Sequence, residues 1–329
     1  MNTPTDTTAR ALPKVLLHEH LDGGLRVPTL LDLLQQRGLA APAPDATALA
    51  AWFDRNAHAG SLEKYLEGFA LTVAAMASPA ALTRVAREAA EDAAAQGAVL
   101  AEFRIAPLLF EPHGISGDAA VEALLEGLAQ GPIPSGLIVC GMRHEPPDQT
   151  ERAARLALRY QGRGVVGYDL AGAEFGFPPA LHAGEADAAV RVLEAARLGA
   201  QRIGHGVRLV DALSDPAQAP LLDEAKSLGI HLEVCPTSNV HTGAATSIST
   251  HPITALWRAG VSLSYHTDNR LMSCITLDQE AAALLRETPL TAADLLAMAR
   301  QAAMHSFMPE ADRQAALRAI DAWTPPAAA

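Results

Sequence analysis

Short apolar runs alternate with helical stretches along almost the whole chain, and several of the runs end in a residue that can do chemistry. Residues 14–20, 98–105, 136–143, 164–170, 202–206, 230–235 and 261–266 read as strands, and one more is expected just before His182. Helical patterns lie between them at 28–37, 80–95, 118–129, 149–161, 187–198, 221–227 and 253–259, with two more at 291–304 and 310–323. Strands that alternate with helices imply parallel βαβ units. Eight such units within 329 residues predict an α/β fold, a (β/α)8 TIM-type barrel, whose chemistry sits at the C-terminal ends of the strands. No repeat or low-complexity linker marks a second domain, so residues 1–329 are expected to form one domain, with 1–12 as a loose, flexible arm.

The strand ends carry the reactive groups. In Leu17-His18-Glu19-His20-Leu21-Asp22 the first strand runs into two histidines one residue apart. Side chains two apart on a strand share a face, so His18 and His20 point together, with Asp22 two residues on. The fifth strand offers His182 and Glu185, the sixth His205 and the eighth Asp268. A barrel gathers these ends around one pocket. Three histidines and an aspartate suit a Zn²⁺ site, one ion per chain, with room for water. Glu185 and His205 are then left over as acid–base groups.

Charge and composition narrow the partners. A formal charge of −12 argues against nucleic acid or an anionic membrane, both of which call for basic patches. No apolar stretch reaches spanning length, and the polar start lacks a signal core. Cys140, Cys235 and Cys274 form no paired motif and read as the reduced thiols of a cytoplasmic protein. Aromatic residues are only 4% of the chain, so the cluster Trp52, Phe53, Tyr65, Leu66 and Phe69 stands out; helix core is the reading preferred over a lid. Arg104 and Arg143 read as ion-pair partners on the barrel rim, and Ser238 with Asn239 as a turn network. The remaining histidines, His251 among them, read as structural or solvated, and His266 receives no role.

Six motifs, in order and each at a strand end, resemble those of the adenosine deaminase family of the amidohydrolase superfamily. They are His-Glu-His-Leu-Asp-Gly at 18–23, Asp-Leu-Ala-Gly at 169–172, His-Ala-Gly-Glu at 182–185, Gly-His-Gly at 204–206, Cys-Pro-Thr-Ser-Asn at 235–239 and Thr-Asp at 267–268. The stretch 267–273 resembles the bacterial form. The resemblance implies hydrolytic deamination of adenosine or 2′-deoxyadenosine to the inosine product and ammonia, in purine salvage. It implies His18, His20, His182 and Asp268 as zinc ligands. His205 would orient or deprotonate the attacking water with help from Asp268, and Glu185 would protonate purine N1, a role that needs its carboxyl protonated. Gly172 matches the position whose backbone amide meets N3, and Asp22 the position that binds the ribose 5′-hydroxyl. A carboxylate there favours a free hydroxyl over a 5′-phosphate, which points to a small-molecule purine nucleoside as the partner. Asn269 replaces the second aspartate of the animal enzymes and offers a neutral N–H donor to N7.

One departure bears on all of this. The chain reaches His182 only ten residues after Gly172, and Pro178 and Pro179 fall in between. A parallel crossover usually takes about a dozen residues or more. The fourth helix and most of the fifth strand are therefore expected to be missing, the barrel wall to be disrupted there, and His182 and Glu185 to be less securely placed. Two alternatives follow: a deaminase for another 6-aminopurine nucleoside such as aminodeoxyfutalosine, and a purine-binding relative impaired by the short connection.

Overall fold

A computed structural model describes residues 4–58, 62–172 and 182–325. Its strands are β1 (Lys14–Leu16), β2 (Ala98–Ile105), β3 (Ser135–Met142), β4 (Val165–Ala171), β5 (His182–Ala183), β6 (Arg202–His205), β7 (His231–Val234) and β8 (Leu263–Tyr265). All the pairings between them are parallel. Helices on the outside cover the strands, and Leu16, Phe103, Val139, Leu232 and Leu263 are fully buried between the two layers. This is the α/β barrel that the alternation predicts.

The wall consists of two four-stranded sheets, β1–β2–β3–β4 and β5–β6–β7–β8. One junction is closed by backbone bonds beyond the ends of β1 and β8. There His20 N–H donates to the Asp268 carbonyl at 2.8 Å, and Asp268 N–H to the His18 carbonyl at 3.0 Å. The junction between β4 and β5 carries no ladder among the described residues. Among the described residues the fifth strand is two residues long, as the short connection predicts. The expectation about a missing helix at 173–181 lies outside the described residues.

Side chains span this seam. The guanidinium of Arg143, beyond β3, donates to the carbonyl of Leu170 in β4 at 3.2 Å and to that of His182 in β5 at 2.5 Å. Asp169 in β4 pairs with His182 Nδ1 at 3.0 Å. The sixth strand end adds two backbone bonds, Gly206 N–H to the Ala183 carbonyl at 3.0 Å and Arg208 N–H to the Gly184 carbonyl at 2.9 Å. His182 is thus fixed from both sides, which corrects the expectation that it would be loosely placed.

Two other expectations need correction. Residues 4–11 form a helix, Pro4–Ala11, in place of a loose arm. Ala9 and Leu12 are buried, and Asp6 pairs with Arg286 at 2.8 Å. Its packing partner is a helix that the sequence reading did not assign, Leu277–Glu287, started by a capping box of Thr276 and Gln279. Arg104 is not on the rim; it lies buried in the centre of the barrel. Thr291 and Asp294 form a capping box at the start of the helix Ala292–His305. His266, left without a role, accepts the Leu17 N–H at Nδ1 and so ties β8 to the end of β1. In the aromatic cluster Phe53 is core, whereas Phe69 lines the cavity described below.

Replacing Arg143 with methionine removes the donor shared by the two edges of the seam. Hydrogen bonds to charged groups contribute about 1.5–3 kcal/mol, so Arg143→Met is expected to lower the thermal midpoint by several degrees. An unchanged midpoint would show that the seam holds without it.

Candidate active site

His18 and His20 follow β1 and point to one side, while Glu19 between them points to the other. There Thr267 donates to it at 2.8 Å and Arg270 at 2.6 Å. His182 comes from β5, His205 ends β6, and Asp268 follows β8. His205 and Asp268 have φ of +64° and +59°, a conformation that L residues rarely adopt. Strain of this kind clusters at functional sites and persists where the surroundings over-determine it.

Four donor atoms converge. His182 Nε2 lies 3.1 Å from His18 Nε2 and 3.3 Å from His20 Nε2. Asp268 Oδ1 lies 3.3 Å from His18 Nε2 and 3.5 Å from His20 Nε2. A tetrahedral ion with ligand bonds of 2.0–2.1 Å has donor–donor edges of about 3.3–3.4 Å. The cluster therefore has the size of a metal site.

The protonation pattern agrees. His18 Nδ1 faces Glu233 Oε2 at 2.9 Å, and His182 Nδ1 faces Asp169 Oδ2 at 3.0 Å. A carboxylate only accepts, so both Nδ1 atoms carry the hydrogen and both Nε2 atoms present lone pairs. Lone pairs 3.1 Å apart repel, and a cation at the centre turns that repulsion into coordination. Burial holds His20 well below the ordinary histidine range, and His182 below it too, so both rings are neutral, as ligands must be. Burial alone would raise Asp268. The surrounding His18, His205 and His20 outweigh it and hold that carboxyl well below its usual range. Ser238 Oγ donates to its second oxygen at 2.6 Å.

Glycine is required at Gly204 in β6. A Cβ there would lie 2.9 Å from His18 Cε1 and 3.1 Å from His182 Cγ. Gly172, at φ +100°, directly follows β4, where a side chain would meet His144.

Arg104 lies beneath the histidines. It donates to Asp169 Oδ2 at 2.7 Å, to Glu233 Oε2 at 2.5 Å and to the Leu17 carbonyl at 2.7 Å. Arg202 pairs with the other oxygen of Glu233 at 2.6 Å and with Glu102 at 2.7 Å. Asp169 and Glu233 thus orient two of the metal-facing histidines, and the sequence reading gave neither a role. Their signal was available in outline: each is an acidic residue on an otherwise apolar strand.

Above the donor cluster opens a cavity of about 660 Å³. His20, Asp22, Gly172, His182, Glu185, His205, Asp268 and Asn269 line it, so every sequence-predicted site residue is at its surface except His18, which is fully buried beneath. Phe69, Val73, Leu109 and Met142 give it an apolar side. Burial pushes the Asp22 carboxyl up to about 7. Glu185 accepts from Asn239 Nδ2 at 3.0 Å and Thr242 Oγ1 at 2.8 Å, and its other oxygen is 3.6 Å from His205 Nε2. Asn239 is therefore part of the site, not a simple turn residue. A buried cluster of three imidazoles and a carboxylate beneath a cavity that a further carboxyl and imidazole line can hold a metal and handle protons on a partly apolar ligand.

Comparison with known proteins identifies the group. The family described as adenosine deaminase matches residues 13–323. The chain belongs to the adenosine deaminase family. The adenosine deaminase of Mycobacterium ulcerans is 44% identical over 310 residues, covering 84% of this chain and 85% of that one. The Arabidopsis N6-mAMP deaminase is 27% identical, with a TM-score of 0.81 over 96% of this chain and 99% of that one. The adenine deaminase of Arthrobacter aurescens, at 22% identity, shares the fold with a TM-score of 0.84 over 95% and 99% of the two chains. Members of the adenosine deaminase family are metal-dependent hydrolases that act on C–N bonds, which agrees with the donor cluster here.

Outer partners of metal-bound histidines typically change metal affinity 10- to 100-fold. Asp169→Asn is expected to weaken metal binding by about that factor, measured by competition with a chelating dye. Unchanged affinity would show that Arg143 and the backbone suffice to hold His182.

Proposed function

We propose that the protein hydrolyses adenosine and 2′-deoxyadenosine to inosine and deoxyinosine with release of ammonia, as a zinc-dependent purine-salvage enzyme. The observation that carries this is the joining of the donors of His18, His20, His182 and Asp268 to Glu185 and His205 around one cavity. Three imidazole nitrogens and one carboxylate oxygen at tetrahedral spacing suit Zn²⁺, held by His18, His20, His182 and Asp268. When bound, the ion supplies an activated water, its pKa lowered to about 7, as the nucleophile at neutral pH.

The chain's own residues do the rest. Glu185 gives its proton to purine N1, which makes C6 electrophilic. His205 orients the attacking water, or takes its proton, with help from Asp268. The backbone N–H of Gly172 donates to N3 and the side-chain amide of Asn269 to N7. Asp22 accepts from the ribose 5′-hydroxyl.

Asp22 also decides between substrates. The similarity to an N6-mAMP deaminase raises a second reading, a nucleotide substrate. Asp22 is buried and its Oδ1 lacks a hydrogen-bond partner among the described residues. A hydroxyl satisfies that oxygen, and a phosphate is repelled by it. The free nucleoside is therefore preferred, with aminodeoxyfutalosine as the alternative to separate in a substrate panel.

We further place residues 1–329 in one domain and the protein in the cytoplasm, without nucleic-acid or membrane partners. The formal charge of −12 and the three free cysteines support this. Among the described residues no single helix is long and apolar enough to cross a membrane.

The loss of adenosine absorbance near its ultraviolet maximum tests the proposal. Turnover that a chelator abolishes and zinc restores is expected. No turnover in any of these conditions would overturn it. Asp22→Asn is expected to lower kcat/KM for adenosine by about 10- to 100-fold, the equivalent of one hydrogen bond to a charged group, and to narrow the preference for adenosine over AMP. An unchanged preference would remove Asp22 from substrate selection.

A further inference from the structure

We propose that Asn239, held in one orientation by His251, is a positioning residue that decides which atoms of Glu185 and His205 carry protons. The inference rests on the deaminase reading above for its catalytic meaning, and on geometry for the arrangement itself.

The helix Pro236–His241 starts immediately after β7 and carries the fully buried Asn239 side chain to a point between Glu185 and His205. An amide can face either way, and its neighbours decide. Ile253 N–H donates to His251 Nδ1 at 3.1 Å, so that nitrogen is an acceptor and the hydrogen of the neutral ring sits on Nε2. Burial, with His205 nearby, pulls His251 down to about 3, which keeps the ring neutral. Its Nε2–H then donates to Asn239 Oδ1 at 3.3 Å. The oxygen of the amide is thereby committed to His251.

The two hydrogens on Asn239 Nδ2 are left for the catalytic pair. One reaches Glu185 Oε1 at 3.0 Å, the other His205 Nδ1 at 3.1 Å. Two consequences follow. Glu185 Oε1 already accepts from both Asn239 and Thr242, so a proton carried by Glu185 belongs on Oε2. His205 Nδ1 is an acceptor, so the hydrogen of the neutral ring sits on Nε2, the atom 3.6 Å from Glu185 Oε2. A protonated Nε2 donates a hydrogen bond and cannot take up a proton. Of the two roles open to His205, orienting the water is the one this network selects.

The test uses the zinc-loaded full chain. Asn239→Ser removes both donors. Its kcat for adenosine is expected to fall by about 10- to 100-fold, the scale of misplaced catalytic groups, with KM within about threefold and zinc per chain unchanged. His251→Phe should lose activity in the same way, and His251→Gln, whose amide can still donate to Asn239, should recover most of it. Nitrogen NMR of histidine-labelled, zinc-free protein should show His205 protonated at Nε2, and should lose that preference in Asn239→Ser. A kcat within twofold of wild type in both Asn239→Ser and His251→Phe would overturn the inference. So would activity lost in proportion to zinc, or a wild-type His205 protonated at Nδ1. If Asn239→Ser does not fold, the His251 pair and the wild-type spectrum decide. A wild-type protein inactive on adenosine would remove the deaminase reading and leave the spectrum to judge the arrangement.

Discussion

The guanidinium of Arg104 is the group around which the rest is arranged. It is buried and lies between Asp169 of β4 and Glu233 of β7. Each of those carboxylates holds the Nδ1 of one metal-facing histidine. Burying an ion pair is expensive, and removing one partner leaves an uncompensated charge, so such a set survives only when every member is satisfied. Glu102, Asp169 and Glu233 pair with the guanidinia of Arg104 and Arg202, and Asp268 stands above them against the imidazole of His18. The metal site and the charge network beneath it are one electrostatic unit.

The same unit holds the barrel together where its wall is weakest. A complete barrel shares the work of closure around a continuous ladder. Here β4 and β5 are joined by Asp169 to His182 and by Arg143 to two carbonyls, while Arg104 ties both half-barrels to one guanidinium. Backbone pairing is indifferent to side-chain identity, but this closure is not. His182 is held by backbone pairing on the β6 side and by the side chains of Asp169 and Arg143 on the β4 side. The same charges that orient the metal-facing histidines therefore also fix the fifth strand.

Much of this was legible in the sequence because it is local. Strand–helix alternation shows in the spacing of apolar residues, and the shared face of His18 and His20 follows from strand geometry alone. Gathering of His182, Glu185, His205 and Asp268 follows once strand ends are known to converge. What was not legible depends on partners far apart in the chain. Glu233 matters because it meets His18, and Arg104 because it meets both Asp169 and Glu233. Nothing near Arg104 in sequence separates a rim arginine from a central one. The helices Pro4–Ala11 and Leu277–Glu287 were missed for a related reason: they pack on each other from opposite ends of the chain. Asn239 was read as part of a turn because its three partners come from β5, β6 and the segment that leads to Ile253.

The carboxylates around the cavity fall into two kinds, and this difference bears on selectivity. At the metal site every buried carboxylate has a cationic or hydrogen-bonding partner, and Asp169, Glu233 and Asp268 are all held below the usual carboxylate range. Asp22, which also lines the cavity, is equally buried, is pushed up to about 7, and keeps one oxygen without a hydrogen bond among the described residues. An unsatisfied buried polar group costs about 1–3 kcal/mol, and more if charged. Such a group reduces stability until a ligand supplies a donor. In the proposed reading the ribose hydroxyl does so, and binding recovers what folding lost. A ligand with an anion at the same place is repelled by the ionised form of Asp22. The residue that weakens the empty protein is thus the one that distinguishes the nucleoside from its phosphate.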